Sequence, residues 1–171
     1  MKKLIVTLVF IISIGICQGQ NFYDYCQKNG RAICPSYTSL NCVQFMDVAL
    51  KKYYGINNSE LTKYTYINYP ISTINKAIQT NQTNIVGGVA YGLVKFGYAE
   101  WVDIKDIQKG DIVQYWSTVG YTNGHCGIFH GYDLNHNMIL VGSHQDSKGY
   151  GYMNVYNSNI ECTFYVCRLK R

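Results

Sequence analysis

Residues 112–141 read IVQYWSTVGYTNGHCGIFHGYDLNHNMILV, three short apolar runs separated by turn residues. Ile112 to Trp116, Gly127 to Tyr132 and Met138 to Val141 are rich in the β-branched and aromatic side chains that suit a pleated sheet. The spacers Gly120-Tyr121-Thr122-Asn123-Gly124 and Asp133-Leu134-Asn135-His136-Asn137 carry the Gly, Asn and Asp that tight turns require. The texture predicts strands, and it continues to the C-terminus. Tyr152 to Tyr156 and Thr163 to Leu169 read as two more, with Asp146 to Gly151 as a turn before them.

Upstream of this stretch the period changes. Asn41 can cap a helix running from about Cys42 to Tyr54 and closed by Gly55. Val43, Met46, Leu50 and Tyr53 fall at helical spacing, and Phe45 and Ala49 widen the stripe, so this helix is expected to lie buried against the sheet. A second helix is expected over Ser72 to Gln79 and a third over Gly87 to Phe96, ending at Gly97. Asn21 to Leu40 is polar and cysteine-bearing and predicts irregular structure. Helices followed by a run of strands argue for an α+β domain, with N-terminal helices packed on an antiparallel sheet of about five to six strands. At 171 residues, with no repeats, low-complexity linkers or charge blocks, the chain has room for one domain.

The first residues read as an export signal. Lys2 and Lys3 give a basic start, Leu4 to Ile16 an apolar core, and Cys17-Gln18-Gly19 small residues at the positions a signal peptidase reads. The apolar run is too short to span a bilayer. The expected organisation is therefore a signal peptide over 1–19 and a mature domain over 20–171, secreted and not held in a membrane. Losing Lys2 and Lys3 takes the formal charge from +5 to +3, which allows weak attraction to anionic polymers such as bacterial walls. No nucleic-acid motif occurs, and Arg168-Leu169-Lys170-Arg171 is expected to be a solvated tail. Asn57-Asn58-Ser59 and Asn81-Gln82-Thr83 match the N-glycosylation sequon, which matters only in a eukaryotic host.

Six of the seven cysteines lie beyond the signal: Cys26, Cys34, Cys42, Cys126, Cys162 and Cys167. In an oxidising compartment they can form three disulfides in 15 ways. Cys26 and Cys34 are close enough in sequence for a local bridge. Cys162 and Cys167 fall on opposite faces of one strand, roughly 16 Å apart, and are not expected to pair.

Cys42 can instead be a nucleophile. A thiol in the first turn of a buried helix feels the positive end of the helix dipole and the unpaired N–H groups there, which favour the attacking thiolate. The same N–H groups can donate to an oxyanion. His125 opens the strand His125-Cys126-Gly127-Ile128-Phe129, where alternation puts His125, Gly127 and Phe129 on one face and Gly127 leaves room for a packed helix. A histidine at that strand mouth can take the thiol proton and later protonate a leaving amine. His144 shares a face with Leu140 and Gly142 and can orient His125; Gln145 and Asp146 are rivals for that role. His130 falls on the opposite face from His125, and His136 in a turn. With no C-x-x-C, H-E-x-x-H, G-x-S-x-G or phosphate loop, other chemistries lack a signature.

In order and texture, the chain from about Leu40 onward resembles the NlpC-type and CHAP enzymes, the compact papain-like cysteine hydrolases of bacterial cell walls. Asn41-Cys42-Val43-Gln44-Phe45-Met46 looks like their nucleophile helix, and Lys109-Gly110-Asp111-Ile112-Val113-Gln114-Tyr115-Trp116 like the Gly-Asp turn and strand before the histidine. Gly124-His125-Cys126-Gly127-Ile128-Phe129 looks like the glycine-histidine strand, and Val141-Gly142-Ser143-His144-Gln145 like the strand bearing the third polar residue. A helix ending in Tyr98-Ala99-Glu100-Trp101 also fits. The resemblance implies a Cys-His-polar triad of Cys42, His125 and a third residue, for which His144 is the candidate beside Gln145 and Asp146; it implies no metal or other cofactor, and hydrolysis of amide bonds in peptidoglycan, within the stem peptide or between sugar and peptide, by a chain expected to be a monomer. Cys126 departs from it, standing where an aliphatic residue is usual. Two other readings stand beside this one: the same chemistry on a non-wall amide, and a non-enzymatic, disulfide-braced binding domain whose many tyrosines form the contact surface.

Overall fold

The computed structural model describes residues 18–56, 69–117, 123–155 and 162–170. Among these are five helices and a six-stranded open antiparallel sheet, an α+β arrangement. The helices are α1 (Gln18–Ile33), α2 (Cys42–Tyr54), α3 (Ile71–Gln79), α4 (Thr83–Val86) and α5 (Gly88–Lys95). The strands are β1 (Ala99–Val102), β2 (Ile112–Ser117), β3 (Asn123–Tyr132), β4 (Met138–His144), β5 (Gly149–Val155) and β6 (Cys162–Leu169), in the order β1-β6-β2-β3-β4-β5. The signal segment up to residue 17, the first sequon, Tyr156 and Arg171 lie outside the described residues.

Strand alternation divides the sheet into two apolar faces. Ile112, Trp116, Cys126, Ile128, Val141, Tyr150, Tyr165 and Cys167 face the helices, meeting Phe22 and Cys26 of α1, Phe45, Met46, Ala49 and Leu50 of α2, and Val89, Ala90 and Leu93 of α5. Val113, Phe129, Met138, Leu140, Val155 and Val166 form a second cluster on the other face. Each buried aliphatic or aromatic side chain contributes about 1.5–3 kcal/mol, so the helix-side layer holds the fold together.

Helix α1 corrects the expectation of irregular structure over Asn21 to Leu40, which holds only for the segment after Ile33. Its buried residues are Phe22, Tyr23, Cys26 and Gly30, in which a thiol and a glycine stand where aliphatic residues would announce a helix. Gly30 has a packing reason: a Cβ there would sit 2.4 Å from the Tyr150 ring of β5. Strand β1 is a second correction. Tyr98 to Trp101 do not end a helix; α5 stops at Lys95, Gly97 takes a left-handed φ of 78°, and Ala99–Val102 pairs with β6.

The C-terminal basic run is a third correction. Arg168 sits in β6, and its guanidinium grips the buried Asp111 carboxylate with two hydrogen bonds of 2.9 and 2.8 Å. That fork clips the Gly-Asp turn before β2 onto β6.

The six described cysteines beyond residue 17 are free thiols. No Cys26–Cys34 bridge forms. The two are separated by two turns of α1, roughly 12 Å of rise, too far for a disulfide. Cys162 and Cys167 join opposite apolar clusters, as strand alternation requires.

Candidate active site

Helix α2 presents Cys42 through a well-formed N-terminus. Asn41 is the N-cap: its Oδ1 accepts from Gln44 N–H at 3.0 Å, and Gln44 Oε1 accepts from Asn41 N–H at 2.9 Å. This capping box satisfies two first-turn donors, and Phe45 N–H begins the helical ladder to the Asn41 carbonyl. The N–H groups of Cys42 and Val43, at the first two helical positions, are left with no acceptor within the helix. Gly55 closes the helix at a left-handed φ of 67°.

The loop leading into α2 is pinned to β4. Ser143 Oγ donates to the Leu40 carbonyl at 2.5 Å, and the Cys34 thiol lies 3.2 Å from Ser143 Oγ and 3.3 Å from the carbonyls of Ser36 and Leu40. The Cys34 carbonyl accepts from Tyr150 N–H. The start of α2 is thereby fixed against the end of the sheet that carries the histidines.

On that end, strands β2 and β3 set His125 opposite Tyr115 and Gly124 opposite Trp116. Gly124 is small because the Trp116 ring lies across it, 2.7 Å from where a Cβ would be. The β3–β4 ladder begins at Ile128↔Val141. Above that pair Cys126, with its N–H and thiol, and the His125 imidazole lie beside the Cys42 sulfur and favour its thiolate. These contacts overcome the cost of burial and bring the Cys42 thiol down to about 4. The Cys126 hydrogen bond contributes most, and the charge and hydrogen bond of His125 add to it. Cys126, which gives up a hydrogen bond to the thiolate and has no exposed surface, is pushed well above the usual thiol range.

His144 lies against His125, with rings 4.7 Å apart and His125 Nε2 to His144 Nδ1 at 2.6 Å. Fully buried, His144 is driven down to about 3, chiefly by desolvation and then by the charge of His125, so it is neutral at neutral pH. A neutral His144 can accept from His125 Nε2–H, which leaves His125 Nδ1 for Cys42. Its own proton then sits on Nε2, which leans over Gly142 without reaching a hydrogen-bond partner. Gln145 and Asp146 are exposed in the following turn, so of the three candidates His144 is the one in contact with His125.

Gly127 does not make room for a helix. It sits on the face away from the helices, where a Cβ would come 3.1 Å from Leu140 Cβ. Its smallness serves the close approach of β3 and β4 beneath the two histidines: a Cβ on Gly142 would lie 3.6 Å from Gly127 Cα. His130 turns to the other face and joins β3 to α1 through Tyr23 Oη at 2.5 Å; His136 occupies the β3–β4 turn at φ 60°.

Tyr37 and Tyr115 are near the site although sequence patterns did not single them out. Burial raises both hydroxyls, and the nearby Cys42 and Cys126 add to the effect. The Tyr115 ring packs 5.8 Å from His125 and 5.9 Å from Phe164. Once Ser117 is set opposite Asn123, counting along the hairpin gives the Tyr115↔His125 pair.

Among the described residues, no group of three His, Cys, Asp or Glu side chains is placed to hold a metal ion, and no helix is long and apolar enough to cross a membrane. No protein-family profile matches the chain, and neither the curated proteins nor the solved structures include a detectable relative.

Proposed function

We propose that this protein is a papain-like cysteine hydrolase, exported from the cell, that cleaves amide bonds in the stem peptide of bacterial peptidoglycan. The observation carrying the proposal is the chain of contacts Cys42–His125–His144 at the junction of a helix start and a strand opening. In this reading the Cys42 thiolate attacks the carbonyl carbon, and the oxyanion forms beside the first-turn N–H groups of Cys42 and Val43. His125, held by His144, gives its proton to the leaving amine. It then takes one from the water that hydrolyses the thioester. The peptidoglycan substrate rests on the resemblance of the four sequence motifs to NlpC-type and CHAP enzymes, and the export on the basic-then-apolar start of the chain.

The test is digestion of purified peptidoglycan followed by mass spectrometry of the products. Wild-type protein is expected to release stem-peptide fragments with a new amine end. Cys42→Ala is expected to release none while keeping the circular dichroism spectrum of the parent. Equal release by the variant overturns the proposal; activity on other amides with no stem-peptide fragment moves the substrate away from the wall.

A further inference from the structure

Cys126 neither attacks the substrate nor transfers a proton in the hydrolytic cycle, yet it lies beside the nucleophile and stabilises its thiolate. The two thiols differ in access. Cys42 retains 9% of its surface, whereas Cys126 has none and lies beneath it on β3. A small oxidant arriving from solvent therefore meets Cys42 first and finds a second sulfur already in contact behind it. A disulfide between the two sulfurs is a bond of about 2.05 Å. The other thiols are differently placed. Cys34 is bonded to Ser143, Ser36 and Leu40 backbone or side-chain oxygens, and Cys162 lies on the opposite face of the sheet.

Taking Cys42 as the nucleophile of the proposed hydrolase, we infer that Cys126 is a resolving thiol, which converts oxidised Cys42 into a reversible Cys42–Cys126 disulfide and so switches the site off. The oxidant is hydrogen peroxide. The Cys42 thiolate attacks one peroxide oxygen and breaks the O–O bond, giving a sulfenic acid, with the other oxygen leaving as water after taking a proton. The Cys126 sulfur then attacks the Cys42 sulfur and breaks the S–O bond. The departing hydroxide takes the Cys126 proton and leaves as a second water. Two electrons pass from the sulfurs to the peroxide. A dithiol reverses the step by exchange, itself becoming a disulfide. Without a resolving partner, sulfenic acid proceeds to sulfinic acid, which thiols do not reduce. Cys126 thus protects the nucleophile as well as silencing it.

The experiment treats the reduced, full-length protein with hydrogen peroxide, blocks the remaining thiols with iodoacetamide, and maps non-reduced peptides by mass spectrometry. A cross-link joining the Cys42 and Cys126 peptides is expected, with stem-peptide release falling by at least roughly 10-fold and returning after dithiothreitol. In Cys126→Ala, compared with its own untreated activity, Cys42 is expected to gain two oxygens and dithiothreitol to restore nothing. Cys34→Ser keeps the pair and is expected to behave as the parent. Sulfinic acid on Cys42 of the wild type, or a cross-link through Cys34, overturns the inference. Release of stem peptide by the reduced protein without any Cys42–Cys126 cross-link after peroxide overturns it and leaves the hydrolase reading standing. A cross-link in a protein that releases no fragment from any amide substrate removes the hydrolase and leaves the thiol pair.

Discussion

A histidine with no exposed surface favours the uncharged form, and His144 does so between the Cys42–His125 pair and the close-packed glycines below it. This couples the fold to pH. The folded-state value of about 3 lies below the ordinary 6.5, so the unfolded chain binds a proton that the folded chain refuses. Stability from this group is complete above about pH 6.5 and is lost as pH falls toward 3, by up to about 1.4 kcal/mol per pH unit. His144→Asn retains an acceptor for His125 without the titration. Urea unfolding of the two proteins between pH 7 and 4 is expected to show a smaller acid loss in the variant, and parallel losses would contradict a neutral buried imidazole. Cys42 and His125 were legible in the sequence because each stands at a position with its own physical reason, a helix start and a strand opening. The Cys126 contact was not legible. Alternation places Cys126 and His125 on opposite faces of β3, yet both act on the one Cys42 sulfur.

At the scale of elements, α2 delivers the nucleophile only as accurately as its first turn is held. The Asn41–Gln44 capping box does this locally and the Ser143–Leu40 hydrogen bond does it across the fold. Asn41→Ala removes the side-chain acceptor and is expected to cost about 1 kcal/mol, or roughly 2–4 °C in Tm for a chain of this size, measured by thermal denaturation. An unchanged Tm would mean that the loop contacts alone set the helix start. The bounds of α2, Asn41 to Gly55, were readable because cap, apolar stripe and closing glycine agree. Helix α1 was not, since its buried face is marked by Cys26 and Gly30 and derives its meaning from β5, more than a hundred residues away. Strand β1 escaped notice for a similar reason: four residues with two exposed side chains carry almost no alternation signal, and the pairing with β6 supplies what the sequence there lacks.

For the whole molecule, the sheet is the frame that brings residues 42, 125 and 144 together, and the helices on one face press α2 against it. The docking of α1 on β5 is close enough to be probed by one methyl group. Gly30→Ala improves helix propensity by about 1 kcal/mol, yet it drives a Cβ into the Tyr150 ring, which also packs 5.3 Å from Phe45 of α2. A net destabilisation of about 1–3 kcal/mol in urea unfolding is expected, and a stabilised variant would show that this layer is loosely packed. The α+β class followed from the order of helices and strands, because apolar period is local and survives in any context. The partner of each face was set by contacts too distant in sequence to read.

The chemistry of the site depends on Cys42 being a thiolate, held by Cys126 and His125. The pH dependence of Cys42 alkylation by iodoacetamide, followed by mass spectrometry of the Cys42 peptide in reduced native protein, tests it most directly. A rate that is flat from about pH 6 to 8 and falls below is expected, with a midpoint near the value of about 4 set by Cys126 and His125; His125→Ala should move that midpoint upward. A midpoint near the ordinary thiol value of about 8.5, unchanged by His125→Ala, would contradict it.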